Sequence, residues 1–427
     1  MARISSTDKP LIIVGAGVFG LGLAYELAAN RGYTNVTVLD RFVPPVPDGS
    51  SVDVSRVIRA EYADSFYGSL AVDAMKEWRS NPDWSSHFYD SGFVMLSSSR
   101  DHPYISQCRS QPVEVFESHG AEEKVKSLYP GVQAQFNGMT AVHNTLGGWA
   151  DARAAVQGLA ERCSLAGVSF LTGNAGTVTS LITEGSRVTG VETGAGSKLY
   201  ADCVVLATGA WTNRLVPDFN LSLLATGQPV GFIQLTPEEA KRLSAMPVMI
   251  NFDTGVFCFP PTPGSNMLKL ARHGFGFATR VTTVDDRVIS SPKLQENNAA
   301  SHYLPEDAEE SLRDGVRLYF PEFADRPWAR LRMCWYTDTP KGDFVVDYHP
   351  KVEGLFLATG GSGHAFKFSP VLGKHIADCF ENKASQSLRN KWAARLPDLS
   401  LTEYLQGDGS RAGPPMRVVT QQEQARL

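Results

Sequence analysis

Apolar and polar positions in the first 40 residues follow a pattern that predicts a strand, a helix and a second strand. Leu11–Val14 is a short apolar run directly after Pro10, which is typical of a buried strand. Residues 21–29 are predominantly apolar and predict a helix. Val36–Leu39 is a second apolar run and ends at Asp40. This order of strand, helix, strand and acid is the context of a dinucleotide-binding unit.

Three glycines fill the turn between the first strand and the helix. Gly15 makes the tight turn, Gly17 lets the backbone approach a pyrophosphate, and Gly20 lets helix and strand pack closely. The helix N-terminus offers unpaired N–H groups to the phosphates. Asp40 follows the last glycine by 20 residues, where a ribose-binding acid belongs. The whole context favours a dinucleotide site over a glycine turn that binds nothing.

Two later segments repeat the order of a buried strand and a glycine turn. Residues 203–211 run from an apolar strand into Thr208 and Gly209, and residues 354–380 add an amphipathic helix. The blocks between these segments show the alternating pattern of antiparallel strands. We therefore predict a discontinuous nucleotide-binding domain of residues 1–90, 146–225 and 326–390, a substrate-binding domain of residues 91–145 and 226–325, and a loose C-terminal extension of residues 391–427.

Composition narrows the class of protein. The 427 residues are 43% hydrophobic and 20% charged, which is typical of a globular protein with a large core. A net charge of −5 gives no electrostatic case for nucleic acid or for an anionic membrane, and no apolar run is long enough for a transmembrane helix. The six cysteines include no CxxC pair, so we expect neither a disulfide framework nor a metal site, and a reducing compartment.

The two ends of the chain bear on its location. The N-terminal sequence lacks the apolar core and cleavage site of a signal peptide. The last three residues, Ala425, Arg426 and Leu427, form a close variant of the S-K-L peroxisomal address. We therefore predict a peroxisomal protein recognised by the import receptor, and otherwise a cytoplasmic one.

Five motifs in register resemble one known family. The segments "GAGVFG…VLDR", "SRVIRAEY", "FCFPPTPGSNMLKLARH", "CWYTDTP" and "GGSGHAFKFSP" occur in the order found in the monomeric sarcosine oxidase and fructosyl amino acid oxidase group, which includes amadoriase and saccharopine oxidase. The resemblance implies an α/β (α+β two-domain) fold. In that fold, a glutathione-reductase/D-amino-acid-oxidase-like FAD-binding Rossmann domain joins an antiparallel-sheet substrate domain. It also implies that the dinucleotide is FAD.

The resemblance assigns a covalent link to one cysteine. Cys334, in "CWYT", matches the cysteine that forms a thioether with the 8α-methyl group of the flavin in this family. Such a link requires a thiolate, so a nearby cation should lower the thiol pKa. The alternative is a buried structural thiol, which is the interpretation we favour for Cys258.

Four cations match catalytic or substrate-binding positions of the family. Lys269 matches the lysine near flavin N5, where a fixed cation would stabilise negative charge on oxygen, and Arg56 matches a basic residue beside the flavin. Arg59 and Lys367 match the pair that binds the substrate carboxylate. For each of them, a solvated surface cation or salt bridge is the alternative.

The remaining cofactor candidates follow from the same alignment of motifs. His364 and His273 lie inside two of the motifs, and a structural role for each is as plausible as a catalytic one. The full set of predicted cofactor-binding residues is Gly15, Gly17, Val18, Phe19, Gly20, Asp40, Arg41, Ser51, Ser55, Arg56, Cys334, Gly361, Gly363, His364 and Lys367.

The substrate side departs from both branches of the family. Ser55-Arg56 is closer to the Thr-Arg of sarcosine oxidase than to the Asn-Lys of the fungal enzymes, whereas Asp53 matches an Asp of the fungal enzymes. We expect a monomeric enzyme that oxidises the C–N bond of a secondary amino acid with O2, giving an imine and hydrogen peroxide. The alternatives are a biosynthetic oxidase whose imine closes a ring, and a dehydrogenase that passes electrons to a protein partner.

Overall fold

A computed structural model describes residues 6–108, 114–117, 119–136, 138–397 and 407–427. Its strands are short, as expected of a chain built from several sheets. They are β1 (Leu11–Val14), β2 (Val36–Leu39), β3 (Arg56–Ile58), β4 (Phe88–Tyr89), β5 (Phe93–Ser97), β6 (Glu114–Phe116), β7 (Thr140–Asn144), β8 (Gly148–Ala150), β9 (Ser169–Leu171), β10 (Val178–Glu184), β11 (Arg187–Thr193), β12 (Lys198–Tyr200), β13 (Cys203–Leu206), β14 (Leu224–Gln234), β15 (Val248–Asn251), β16 (Val256–Cys258), β17 (Met267–Arg272), β18 (Phe277–Ala278), β19 (Val281–Thr282), β20 (Val288–Ile289), β21 (Arg330–Asp338), β22 (Val345–Tyr348), β23 (Leu355–Thr359) and β24 (Arg417–Val418).

The helices lie between and outside these sheets. Among the described residues, no helix combines the length and the apolar character needed to cross a membrane. The α-helices are α1 (Val18–Tyr25), α2 (Ser65–Ser80), α3 (Pro82–Ser85), α4 (Pro103–Cys108), α5 (Ala121–Leu128), α6 (Ala152–Leu165), α7 (Thr212–Leu215), α8 (Pro237–Leu243), α9 (Glu306–Tyr319), α10 (Ser369–Phe380), α11 (Gln386–Lys391) and α12 (Gln421–Arg426).

A six-stranded sheet of order β22-β23-β13-β1-β2-β9 forms the first layer. Its pairs are parallel except for the antiparallel edge strand β22. Strands β1, β13 and β23 are buried along their whole length, because α1 and α10 cover one face and a second apolar cluster covers the other. The three predicted strand-and-glycine segments therefore meet in one sheet.

Helix α1 begins three residues before the predicted start and continues as a π-helical turn over Glu26–Asn30. Its earlier start follows from Gly17, which is the extended N-cap residue. The helix packs closely on α10, where a Cβ atom at Gly373 would lie 2.2 Å from the Gly22 carbonyl oxygen. The two glycines therefore permit the contact that brings the third predicted segment beside the first.

A ten-stranded, mainly antiparallel sheet forms the second layer. Its order is β24-β18-β14-β17-β16-β15-β5-β7-β6, with β21 paired to β14 along nine residue pairs. Helix α9 packs on this sheet and buries Leu312, Val316 and Tyr319 in its core. Smaller sheets, β10-β11-β12, β3-β8-β4 and β19-β20, complete the structure.

The described part of the C-terminal extension is packed, in contrast to the loose tail predicted. Strand β24 extends the antiparallel sheet by pairing with β18. Leu427, after α12, is 5% exposed and joins the core of that sheet. Apolar burial therefore holds this segment, while residues 398–406 of the predicted extension lie outside the described residues.

Candidate active site

The glycine turn after β1 forms a cradle that larger residues would fill. A Cβ atom on Gly15 would lie 2.4 Å from the Ala207 carbonyl oxygen, and Gly15 has a φ of 112°. A Cβ atom on Gly20 would lie 1.9 Å from the Gly15 carbonyl oxygen. Ser51 closes the turn by accepting a hydrogen bond of 3.0 Å from the Val18 N–H. Each of these predicted cofactor residues except Gly20 lines a large cavity.

Asp40 and Arg41 border the same cavity at the end of β2. Asp40 accepts a hydrogen bond of 2.8 Å from the Ala16 N–H, and its burial raises the pKa of its carboxyl group. The Arg41 guanidinium lies 4.4 Å from the ring centre of Trp211 and forms a salt bridge of 2.8 Å with Asp48. These contacts hold a carboxylate and a guanidinium where the ribose and adenine of a dinucleotide would lie.

The cavity fits a flavin dinucleotide. It begins at the glycine turn after β1 and at Asp40, the two places where a dinucleotide of this fold binds its pyrophosphate and ribose. Its lining runs from Asp40 and Gly17 to Lys269, Cys334 and Lys367. One cavity therefore joins groups suited to a dinucleotide with the three predicted residues Lys269, Cys334 and Lys367.

The other predicted cofactor residues line this cavity or lie beside it. Phe19, Gly361, Gly363 and His364 belong to the lining. Gly363 has a φ of 75°, and a Cβ atom there would meet the Tyr336 ring at 2.3 Å. Ser55 is fully buried, and its Oγ atom has no hydrogen-bond partner among the described residues, as a group awaiting a ligand would.

Asp53 forms ion pairs with both predicted catalytic cations, Lys269 and Arg56. Its Oδ2 atom lies 2.9 Å from Lys269 Nζ and 2.8 Å from Arg56 Nη1. Lys269 also donates a hydrogen bond of 2.7 Å to the Ser55 carbonyl oxygen and lies 4.5 Å from the ring centre of Phe259. Lys269 is 1% exposed, so the surface alternative for this residue is wrong.

Burial and charge shift the pKa values of this cluster in a consistent way. Burial would raise the pKa of Asp53, but the Lys269, Arg332 and Arg56 cations outweigh it and hold that pKa well below its usual range. Burial lowers the pKa of Lys269 to about 7, although the Asp53 carboxylate opposes this change. The site therefore holds an ionised carboxylate next to an ammonium that loses its proton near neutral pH.

Cys334 lies on β21 opposite Gln228 and lines the cavity. Its Sγ atom lies 3.6 Å from Arg56 Nη2, so the predicted cation is beside the thiol. Cys258, in contrast, is fully buried in the core of the antiparallel sheet, and burial raises the pKa of its thiol. The two cysteines therefore differ in their surroundings: Cys334 lines the cavity beside a cation, whereas Cys258 lies in an apolar core.

Arg59 and Lys367 both contact Tyr62. Lys367 Nζ donates a hydrogen bond of 2.8 Å to the Tyr62 hydroxyl, and the Arg59 guanidinium lies 5.2 Å from the centre of the same ring. Lys367 lines the cavity, whereas Arg59 lies behind its wall and donates to the Tyr104 hydroxyl at 2.9 Å. Burial, reinforced by Arg59, holds the pKa of Lys367 well below its usual range.

The two histidines are partnered differently. His364 contacts the Tyr62 hydroxyl at 3.0 Å through Nδ1 and the Gly342 carbonyl oxygen at 2.7 Å through Nε2. His273 contacts the Ser410 hydroxyl at 2.9 Å through Nε2. Burial lowers the pKa of His364 to about 4 and that of His273 to about 3, so both rings are neutral at pH 7.

Sequence reasoning missed several residues of this site. Tyr62 stands in the motif that contains Arg59, three residues later, so its position was available as a signal. Ser410, which contacts His273, lies in the glycine- and proline-containing tail, whose composition carries no signal for a site.

Comparison with known proteins identifies the family. Residues 10–379 match the family described as DAO, FAD dependent oxidoreductase. L-saccharopine oxidase of Schizosaccharomyces pombe is 31% identical, over 92% of this chain and 94% of that protein, and the monomeric sarcosine oxidase of a Bacillus species is 28% identical, over 87% and 92%. The crystal structure of amadoriase I from Aspergillus fumigatus, a fructosyl amine:oxygen oxidoreductase, has a TM-score of 0.88 at 28% identity and covers 99% of this chain and 98% of that one.

These matches confirm the predicted fold class, the predicted cofactor FAD and the prediction of an oxidoreductase. The family match spans the glycine cradle and Lys269, Cys334 and Lys367. The chain therefore belongs to the family of FAD dependent oxidoreductases, in the group of saccharopine oxidase, monomeric sarcosine oxidase and the amadoriases.

Proposed function

We propose that this chain is an oxidase of a secondary amino acid that uses O2 and forms an imine and hydrogen peroxide. The observation that carries the proposal is the Lys269 ammonium, which is buried at the cavity wall and held by Asp53. FAD, when bound, supplies the transfer of electrons from the substrate carbon to oxygen. A buried, fixed cation stabilises negative charge on reacting oxygen far better than a solvated one.

Other residues of the chain would position the substrate. Lys367 lines the cavity and offers a donor to a carboxylate. The Arg59 guanidinium, 5.2 Å from the centre of the Tyr62 ring, adds positive charge behind the wall at this end of the cavity. His364 contributes no charge at pH 7, because burial lowers its pKa to about 4. An amino acid would therefore bind with its carboxylate at this end.

The test is peroxide release by the purified holoenzyme across a panel of amines. The panel holds sarcosine, N-methylated aromatic amino acids, pipecolate, saccharopine and fructosyl amino acids. We expect a strong signal from one of these classes. Reduction of the enzyme by a substrate without air, followed by slow reoxidation in air, would contradict an oxidase and favour a dehydrogenase with a protein partner. A substrate whose product cyclises would favour a biosynthetic role.

We further propose a thioether bond between Cys334 Sγ and the 8α-methyl carbon of the flavin. The Arg56 guanidinium lies 3.6 Å from this sulfur, so a cation stands beside the atom that would form the bond. Acid precipitation of the wild-type holoenzyme should leave a yellow pellet, and Cys334→Ala should release the flavin into the supernatant. Cys258→Ala is the matched control and should keep the pellet yellow, whereas a colourless wild-type pellet would contradict the link.

We also propose that Ala425, Arg426 and Leu427 direct a monomeric enzyme to peroxisomes through the import receptor. Since Leu427 is 5% exposed and lies in the core of the antiparallel sheet, the receptor would have to draw this residue out. A fluorescent fusion at the N-terminus should collect in peroxisomes and become diffuse when Leu427 is deleted. Equal distributions would contradict the address.

A further inference from the structure

The loop of residues 291–298, here called the cover loop, forms part of the wall at one end of the dinucleotide cavity. Leu294 of this loop and Arg41 both line the cavity. Arg41 Nη1 donates hydrogen bonds to the carbonyl oxygens of Leu294 and Glu296 at 3.0 and 3.1 Å. Arg41 directly follows Asp40, the acid suited to the ribose. The cover loop therefore lies at the ribose end of the cavity.

Two further residues of the cavity lining hold the cover loop. Arg214 Nε donates to Ser291 Oγ at 2.8 Å, and its Nη2 atom donates to the Pro292 carbonyl oxygen at 2.7 Å. Trp211 Nε1 donates to the Lys293 carbonyl oxygen at 3.0 Å. The same side chains thus shape the cavity wall and fix the backbone of the loop.

The C-terminal helix α12 and the residue after it contact this region from the side away from the cavity. Lys293 Nζ donates to the Ala425 carbonyl oxygen at 3.1 Å. The Arg426 guanidinium lies 3.8 Å from the ring centre of Tyr303, a residue that follows the cover loop in the chain. Leu427 is 5% exposed and belongs to the core of the antiparallel sheet. The cover loop therefore lies between the cavity and the C-terminal segment.

The position of the cover loop depends on these contacts on its two sides. Residues 290–297, all of them described, include no helix or strand, so no regular hydrogen-bond pattern of their own fixes them. Helix α12, in contrast, is attached to the antiparallel sheet. Gln424 accepts a hydrogen bond of 2.8 Å from the Arg280 N–H and donates one of 2.8 Å to the Arg280 carbonyl oxygen. The C-terminal segment can thus brace the loop from a fixed support.

We propose that α12 and Leu427 position the cover loop for the dinucleotide, so that docking of this segment and binding of the cofactor strengthen each other. A coupling free energy between two sites acts equally in both directions. Undocking of the C-terminal segment therefore weakens the hold on the adenosine half of FAD. Bound FAD in turn keeps the segment docked. This role is separate from the reaction that the enzyme catalyses.

The first experiment measures dissociation constants of FAD and of ADP, which carries the adenosine half without the flavin. All proteins carry Cys334→Ala, so that the flavin exchanges freely. We expect Leu427→Ser to raise both constants by roughly 5- to 50-fold, within the usual range of coupling between two sites. Lys293→Met removes only the contact with the Ala425 carbonyl oxygen and should raise both by a smaller factor. Gln295→Ala, an exposed residue of the same loop, is the control and should change neither.

The second experiment tests the reverse direction with the C-terminal segment unaltered. Saturating FAD should slow hydrogen exchange of the backbone amides of α12 by roughly the factor found for Leu427→Ser. Helix α5, which is fully described and lies outside the cavity lining, is the control and should exchange at the same rate with and without FAD.

Either experiment can overturn the inference. Equal exchange of α12 with and without FAD would do so, even if Leu427→Ser does not fold. Equal slowing of α5 and α12 would do so as well, because it would show a general stabilisation instead of a coupling. A constant for ADP that stays unchanged while that for FAD rises would place the effect away from the ribose end and refute the role of the cover loop.

Discussion

Burial gives Lys269 a lower pKa than a lysine side chain has in water. On β17 it alternates with Leu268 and Leu270, which point into the core, so the pleat directs its ammonium toward the cavity. Burial destabilises the charged form, while Asp53 at 2.9 Å restores part of its stability. The result is an ammonium that titrates near neutral pH.

Replacing Lys269 tests its role with oxygen. In Lys269→Met the reaction of the reduced holoenzyme with O2 should slow by roughly 100- to 1,000-fold, because a preorganised charge opposite a developing anion contributes about that much. Anaerobic reduction by substrate should change far less. Stopped-flow measurement of the two half-reactions separates these effects, and Lys269→Arg is the control that keeps a cation. Unchanged oxygen reactivity in the methionine variant would refute the role.

The pH dependence of the same reaction follows from the pKa of Lys269. Since burial lowers this pKa to about 7, the ammonium is charged below pH 7 and neutral above it. The rate of reoxidation by O2 should therefore fall as the pH rises through about 7. Asp53→Asn should move the midpoint to lower pH, because it removes the carboxylate that favours the charged form. A rate that is independent of pH between 6 and 9 would contradict this assignment.

At the scale of elements, features that depend on local sequence patterns could be predicted, whereas features that depend on long-range contacts could not. The β1–glycine–α1–β2 unit could be predicted because its turn, its apolar runs and Asp40 lie within 40 residues. The start of α1 was placed three residues late, since an N-cap glycine gives a weaker signal than an apolar run. The contact of Tyr62 with Lys367 joins residues 305 positions apart, and no local pattern encodes such a contact.

The close approach of Gly15 and Gly20 makes a prediction for this unit. In Gly20→Ala the new Cβ atom would lie 1.9 Å from a backbone oxygen, so helix and strand must separate. We expect the free energy of unfolding to fall by about 1–3 kcal/mol, as in other overpacked sites, and FAD binding to weaken. Denaturant unfolding and flavin retention measure the two effects. Gly120→Ala, where a Cβ atom meets nothing within 4 Å, should change neither, and equal losses in both variants would contradict the argument.

At the scale of the whole molecule, the two sheets divide the work of the site. The parallel sheet contributes Gly15, Asp40 and the other residues of the dinucleotide cradle. The antiparallel sheet contributes Lys269 and Cys334. The cavity lies where the carboxyl ends of the parallel strands meet one face of the antiparallel sheet. The packing of residues 407–413 could not be predicted, because it depends on the buried ion pair of Arg411 and Asp338. These two residues are 73 positions apart in the chain.

Asp53 contacts two cations at once, and this constrains how the sequence of such an enzyme can evolve. One carboxylate holds both the ammonium assigned to oxygen and the guanidinium beside the cysteine. A substitution at position 53 would disturb both the proposed flavin link and the proposed reaction with oxygen in the same step. The two traits are therefore not free to diversify one at a time, and we expect descendants of this chain to keep or lose them together.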